Sequence, residues 1–492
     1  MVALTFVILS GCYEVFDYTP DTELNKGGVY INNRKVFFDD LNKIALVSVS
    51  GFDETEGVLK YNSYAQLLIN GVYFENGDTC FFQNLGKNSS IPILLVLKDS
   101  GVEKKYNLQF TTLPVVQITH RYSQIPSDPR IIALFTMTAP GAAEETVEMC
   151  RIEQRGAFSE KYPKKSFSLK FYQDALSRET KKVQLLDLYQ HEDWILDATY
   201  MDWANSRNIV SFNLWREMQQ SALNNGRQTY LSANKGRYVE LFVNQEYVGV
   251  YCLFEQVEQT YTIPMTNGYL YKAESWSPAT MYTGVPDTAE CKEEWASWEQ
   301  KFPDTDKQSI WKPLYNYVDF VVNANDQEFT NSIDKYMVID QAVDEFILMN
   351  LILGSDNAGK NIFLAKPSLN EPFYIGPWDM DATWGRNWQG LEKKAEGIIT
   401  FKLYERLMNT NPKEYKQNLR ERWYQLRQSV LTAGNIRMNF EMYYLELVST
   451  GAADREHLRW PESLPDIHHE HSYILKFIDE RLLYLDRYFE KM

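Results

Sequence analysis

Residues 354–364 read GSDNAGKNIFL and residues 376–385 read GPWDMDATWG. In the first run Asp356 and Asn361 stand in the spacing D-x-x-x-x-N. In the second, Asp379 and Asp381 form a D-x-D at the end of an apolar strand, followed by Gly385. Two carboxylates so placed suit hard Mg²⁺, which takes oxygen ligands and shares them with phosphates. The D-x-x-x-x-N pair alone is expected roughly once by chance in a chain of this length. Its order with the downstream D-x-D, and with a lysine-bearing strand upstream, makes the combination specific.

That upstream strand lies in Cys150 to Phe171, CRIEQRGAFSEKYPKKSFSLKF, where two strand-like runs flank a loop holding Gly156 and Ser159. Period-two parity puts Lys165, Phe167, Leu169 and Phe171 on one face, and Lys164, Ser166, Ser168 and Lys170 on the other. Lys165 is therefore expected among apolar side chains, where it needs an anionic partner because an unpaired buried charge is costly. By itself the segment reads as a hairpin with a snorkelling lysine. Next comes the helix start MDWANSRNIVSFNLW. Asp202 can cap it, Arg207 and Asn208 project from its first turns, and Ile209, Phe212, Leu214, Trp215 and Met218 recur at helical spacing. The stretch from Tyr238 to Glu258 reads as strand, Asn-Gln turn and strand. Glu255 and Glu258 close it, facing either a cleft or water.

Strands dominate what precedes. RKVFFDD, NKIALVSVSG, YAQLLINGVYF, SSIPILLVLKD and EKKYNLQFTTL follow one another between turn residues, the pattern of an immunoglobulin-type sandwich. That stretch holds no convergent His, Asp or Ser set, so it is assigned a spacer or binding role. A further β run covers Ile131 to Thr138, and helical segments return at about 340–352, 400–450 and 470–490. Strands first and helices later predict an α+β domain whose β-rich lobe precedes a helical lobe. The expected division is 26–113 for the small all-β unit and 114–492 for the larger domain, with Pro114, Pro126 and Pro129 at the seam.

The chain has 492 residues, 44% hydrophobic and 14% aromatic, enough for two or three cores and too apolar for disorder. A net charge of −16 repels phosphate backbones and anionic lipid, which argues against nucleic acid as a partner. Cys12, Cys80, Cys150, Cys252 and Cys291 form no CxxC pair and no Cys/His spacing that suits zinc. His468, His469 and His471, in DIHHEHS, read as a solvated helix start rather than a metal tract. Residues 1–12, MVALTFVILSGC, are an apolar run too short to span a bilayer. The run ends in Leu9-Ser10-Gly11-Cys12, which resembles a bacterial lipobox with Cys12 as the lipid-bearing residue. Residues 13–25 then read as an acidic tether. The expectation is an exported, lipid-anchored protein of the cell envelope, periplasmic or outer-surface, that touches membrane only through this anchor.

Taken together, the motifs resemble the CotH kinase family, atypical kinases associated with spore coats. The signatures are R-G-x-x-S followed by P-K-K-S-F (Arg155 to Phe167), W-I-L-x-A (Trp194 to Ala198) and D-x-x-x-x-R-N (Asp202 to Asn208). They continue with E-L-F-V-N-x-x-Y-x-G-V-Y-x-L-x-E (Glu240 to Glu255) and P-W-D-x-D-x-T-x-G (Pro377 to Gly385). The likeness covers about residues 115–490. It implies a protein-kinase-like fold, ATP, Mg²⁺ or Mn²⁺, and a Ser/Thr-bearing protein substrate. It maps Asp356 to the catalytic-loop aspartate, Asn361 to its metal-binding partner, Asp379 to the metal-binding aspartate of a DFG-like element, and Asp381 to a second acidic position. The loop of Arg155, Gly156 and Ser159 is similar to a nucleotide-covering loop and Lys165 to the phosphate-pairing lysine, with Lys164 and Lys170 as rivals. The acidic total does not forbid ATP, because local cations and metal outweigh it at a site. Two other functions stay open. One is a catalytically silent surface adhesion or scaffold module. The other is a glycosidase using Asp379 and Asp381, although neighbouring carboxylates on one strand do not naturally flank a sugar bond.

Overall fold

The computed structural model describes residues 28–82, 89–98, 100–142, 144–156, 161–230, 232–256, 265, 267–287, 294–303, 310–462 and 466–492. Helices and sheets share the chain, an α+β composition. The expected lipobox at Cys12, the tether, Ser159, Glu258 and Cys291 lie outside the described residues.

Each N-terminal run read from alternation forms strand. Tyr64–Ile69 turns into Val72–Phe74 through Asn70 and Gly71, both at positive φ (53° and 77°), the two-residue turn that matches strand twist. The strands join a nine-stranded sheet. Most pairings are antiparallel, but Ile44–Ser48 runs parallel to Glu103–Thr111. Arg34–Asp39 and Ile44–Ser48 are apolar on both faces for a reason. Val36, Ala45 and Val47 enter the sheet's own core, while Phe37, Ile44 and Leu46 pack on Val115, Phe242 and Tyr247 of the next unit.

That unit is a closed barrel of seven strands: Val115–Thr119, Ile131–Thr138, Thr146–Arg155, Ser166–Phe171, Asp193–Asp197, Glu246–Glu255 and Gly236–Val243. Parallel pairing of Val115–Thr119 with Gly236–Val243 closes it. Alternate residues fill the interior, among them Phe135, Ile152, Phe167, Leu169, Phe171, Trp194, Leu196, Leu241 and Leu253. The opposite parity of three strands, Ile195, Tyr238, Cys252 and Phe254, faces the helical body. There Phe254 meets Phe212 of the helix Arg207–Asn224 edge-on at 5.6 Å.

The expected helices are present as Arg207–Asn224, Ile339–Ile352, Lys402–Thr410, Tyr415–Arg427, Ala433–Ser449 and Ile467–Glu490. The last begins inside the histidine stretch, where Asp466 caps the His468 amide at 2.9 Å. The strands-then-helices order is interrupted, however. A five-stranded sheet of Tyr269–Ala273, Glu294–Trp295, Trp298–Phe302, Ile362–Lys366 and Tyr374–Pro377 sits within the helical half. Its strands are short, and Tyr269–Ala273 meets Ile362–Lys366 only across about 90 residues of intervening chain, a pairing that no local period announces.

The helix Ala452–Arg459 fastens the barrel to this body. Arg455 grips Glu240 through two nitrogens at 2.7 and 2.6 Å, and Arg459 pairs with Glu246. Glu456 takes Lys164 Nζ at 2.6 Å and the Val250 amide at 2.7 Å. Gly249, at φ 113°, leaves room for the Glu456 carboxylate, which any Cβ there would strike. Parity anticipates Lys165 as the buried lysine of its segment. The buried one is Lys164, because the strand begins only at Ser166 and alternation does not extend back through the Pro163 turn.

Two outcomes follow from these buried charges. Lys164→Met strands the Glu456 carboxylate and should cost about 3–5 kcal/mol in chemical denaturation. Lys164→Met/Glu456→Leu should recover most of the loss, and equal losses in the single and double variants would refute the pairing. Glu345 lies in the core with the Tyr404 hydroxyl bonded to it, and burial pushes its carboxyl from 4.5 up to about 8. Its contribution to stability is whole below the unfolded value and is lost as pH rises through the folded one. Thermal melts should therefore show Glu345→Gln flattening a decline of the wild type between about pH 5 and pH 9.

Candidate active site

The apolar helix Ile339–Ile352 ends at Leu353 in the left-handed region (φ 53°) and delivers a tight loop. A single turn, Ser355–Asn357, carries Asp356. Gly359 at φ 78° turns the chain against Met281, and Asn361, itself at φ 54°, opens the strand Ile362–Lys366. Asp356 Oδ2 accepts from Asn361 Nδ2 at 3.1 Å and from Lys360 Nζ at 2.9 Å. The D-x-x-x-x-N spacing is thus a closed contact within one loop.

Main-chain bonds stitch this loop to the D-x-D segment. The Asn361 amide donates to Ala273 O and the Trp378 amide to Asn361 O, both at 2.9 Å. Asn357 Nδ2 donates to the carbonyls of Trp378 (2.8 Å) and Asp379 (3.2 Å). Asp379 sits at φ 51°, a conformation that costs free energy in a non-glycine residue and persists only when its surroundings dictate it. The Met380 amide then donates to Asn208 Oδ1 at 3.1 Å, while Asn208 Nδ2 reaches Asp197 Oδ2 at 3.4 Å. Asp197, the variable residue of W-I-L-x-A, also accepts from Ser166 Oγ at 3.3 Å.

Four carboxylates, Asp197, Asp356, Asp379 and Asp381, therefore act on one another. Burial raises the Asp379 carboxyl, the Asp197 and Asp356 charges add to that, and Lys272 and Arg155 oppose it. Burial together with Asp379, Asp197, Asp202 and Asp356 pushes Asp381 well above the ordinary carboxylate range. Asp379 is nevertheless exposed to solvent and Asp381 only half-buried, so water screens part of this repulsion. The cations arrive from two sheets. Arg155 of the barrel lies 5.7 Å from the Trp378 ring centroid, and Lys272 of the five-stranded sheet lies 5.5 Å from it. Lys272 also pairs with Glu274 at 2.7 Å.

The structure thus brings together Asp356, Asn361, Asp379, Asp381 and Arg155. Gly156 follows Arg155 at φ 98°, at the end of the described strand. Lys165 is half-buried, and its carbonyl accepts from the Tyr251 hydroxyl at 2.9 Å. Its two rivals are both engaged, Lys164 by Glu456 and Lys170 by Asp193 at 2.9 Å. Glu255 is a structural group that accepts the amides of Tyr189 (2.9 Å) and Lys235 (3.1 Å). Sequence reasoning missed Asp197, Asn357 and Lys272. The available signals were an Asp ending the apolar run WILD and a Lys in the alternating strand YLYKA. A cavity of about 410 Å³ beside Lys43, Lys105 and Tyr106 belongs to the N-terminal sheet and shares no residue with this cluster.

Among the described residues, no three His, Cys, Asp or Glu side chains converge into a ready-made metal cage. The donor set still fits Mg²⁺ or Mn²⁺, which need only one or two protein carboxylates when phosphates and water complete the shell. A family model for the CotH kinase protein matches residues 152–485. The chain belongs to that family. Comparison with curated proteins gave no match.

Because crowded carboxyls must shed protons to take a cation, Mn²⁺ or Mg²⁺ should raise the melting temperature more at pH 8 than at pH 5. Asp381→Asn, which removes one repelling charge, should melt higher than wild type without metal at pH 8 and gain less from metal. A metal-free Asp381→Asn that melts lower would contradict the crowding.

Proposed function

We propose that this chain is an atypical protein kinase that moves the γ-phosphoryl group of ATP to a Ser or Thr hydroxyl of an exported or surface protein. The observation that carries the reading is the convergence of Asp356, Asn361, Asp379 and Asp381 with Arg155 and Lys272, in a member of the CotH kinase family. The barrel half and the helical half then serve as kinase-like lobes, and the N-terminal sheet as an immunoglobulin-type spacer. Residues 1–12 supply a lipid anchor at Cys12 on the cell envelope. Among the described residues, no helix is long and apolar enough to cross a membrane.

Mg²⁺ or Mn²⁺ supplies charge that neutralises the phosphates when bound, and Asp379, Asn361 and Asp381 would hold it. Asp356 orients the acceptor hydroxyl and takes its proton. Arg155 and Lys272 pull the phosphate chain into register, joined by Lys165 and by the loop of Gly156 and Ser159. Catalysis here is positioning and charge compensation.

Asp356→Ala should leave Mg·ATP affinity nearly intact and lower turnover by about 10²–10⁴. Asp379→Ala should weaken metal-dependent nucleotide binding itself, and Lys165→Ala should resemble it. Calorimetry with Mg²⁺ or Mn²⁺, and phosphate transfer to a Ser/Thr-rich acceptor, measure both. A wild type that binds no nucleotide with either metal would leave a silent surface module.

A further inference from the structure

Lys360, the residue before Asn361, is not explained by the fold. Its ammonium lies 2.9 Å from Asp356 Oδ2, the same oxygen that the Asn361 amide reaches at 3.1 Å. Two donors on one oxygen fix the carboxylate plane and turn the other oxygen away from both. Among the described residues no hydrogen bond reaches Asp356 Oδ1. Lys360 is itself held from behind, 4.3 Å from the Trp276 ring centroid, an arrangement that favours a cation over an indole face. The Trp276 indole N–H donates to Ala358 O at 2.8 Å, so the ring is tied to the same loop whose cation it carries. Yet Trp276 is 51% exposed, a placement that burial does not account for. The other lysine near this loop, Lys393, bonds the Ser355 hydroxyl instead of the carboxylate.

We infer that Lys360, backed by Trp276, is a positioning residue that aims Asp356 Oδ1 at the acceptor hydroxyl. The inference rests on the kinase reading and deepens it. In the transfer, the acceptor O–H proton passes to Oδ1 and the acceptor oxygen bonds to the γ-phosphorus. The bond from that phosphorus to the β,γ-bridging oxygen breaks, and its electron pair leaves on ADP. Protonation neutralises Asp356, and Lys360 becomes an uncompensated cation beside the newly phosphorylated oxygen. A lysine fixed on Oδ2 therefore does two things: it selects which oxygen acts as base, and it supplies positive charge when the carboxylate gives up its own.

The test compares wild type, Lys360→Met, Lys360→Arg and Trp276→Ala in the full chain. Calorimetric Mg·ATP affinity and melting temperature are read beside kcat and KM for a Ser/Thr-rich acceptor peptide. Lys360→Met should lower kcat by on the order of 10²-fold, as a misaimed base does, while ATP affinity stays within about twofold. Lys360→Arg keeps a cation on Oδ2 and should restore most of kcat, and Trp276→Ala should fall between. An active wild type with an unchanged Lys360→Met kcat overturns the inference and leaves the kinase reading standing. Parallel losses of ATP affinity and kcat in Lys360→Met also overturn it, since Lys360 would then serve the nucleotide. A wild type that neither binds ATP nor transfers phosphate overturns the kinase reading and the inference together.

Discussion

The structure turns on a buried guanidinium. Arg207 is wholly enclosed at the start of its helix, and a charge there is tolerable only if every face finds a partner. It finds three. Asp202 pairs with it at 2.9 Å and also accepts its backbone amide at 2.6 Å, so one carboxylate caps the helix and neutralises its first side chain. Thr383 O takes the Nε at 2.9 Å, and Glu470 of the last helix takes the remaining nitrogen. Glu470 in turn binds Arg386 at 2.7 Å. Two guanidiniums hold Glu470 below the ordinary carboxylate range, whereas burial raises Asp202 despite Arg207. The first helix, the segment after the D-x-D and the C-terminal helix thus meet at one charge network, and removing any member leaves the others uncompensated.

That network explains how a strained segment is kept in place. Asp379 and Trp384 both sit at positive φ, 51° and 49°, conformations that relax unless neighbours forbid it. Asn208 and Arg207 hold the segment from the helix, Asn357 from the loop, and Trp384 is locked by its indole bond to Ser211 Oγ at 2.9 Å. The rigidity has an electrostatic use. Four carboxylates face Arg155, Lys272 and Lys360, an excess of negative oxygen that supports a divalent cation in the proposed reaction. Carboxylates free to move would swing apart and relieve the repulsion.

What the sequence made legible was local. The Asp356–Asn361 contact closes inside one loop, so its spacing alone encodes it. The run SFSLKF alternates because one face fills a barrel, and the helix beginning at Arg207 repeats because one face fills a core. Partners from distant chain were not legible. Lys272 reaches the site only because its strand pairs with Ile362–Lys366, and Asp197 only because its strand lies next to Ser166–Phe171. The N-terminal strands were plain, but no period could reveal that Ile44–Ser48 pairs in parallel with Glu103–Thr111. Parity failed at Lys165 for a related reason, being carried past the strand's true start.

The fate of Lys164 and Lys170, on either side of Phe167, shows how architecture limits chemistry. Lys170 answers Asp193 within the barrel, and Lys164 answers Glu456 across to the helical body. A lysine buried against a single carboxylate cannot turn to phosphate without stranding that carboxylate, so Lys164 serves attachment. The attachment has a consequence for the site. The barrel contributes Arg155 and Asp197, while the helical body contributes Asp356, Asp379 and Lys272. Their separations are set by how these two bodies are fastened. The helix Ala452–Arg459 fastens them with two buried ion pairs and a glycine whose missing side chain admits the Glu456 carboxylate. A site divided between two bodies needs such a clamp, because cations from one body compensate carboxylates of the other only while the distance between them is held.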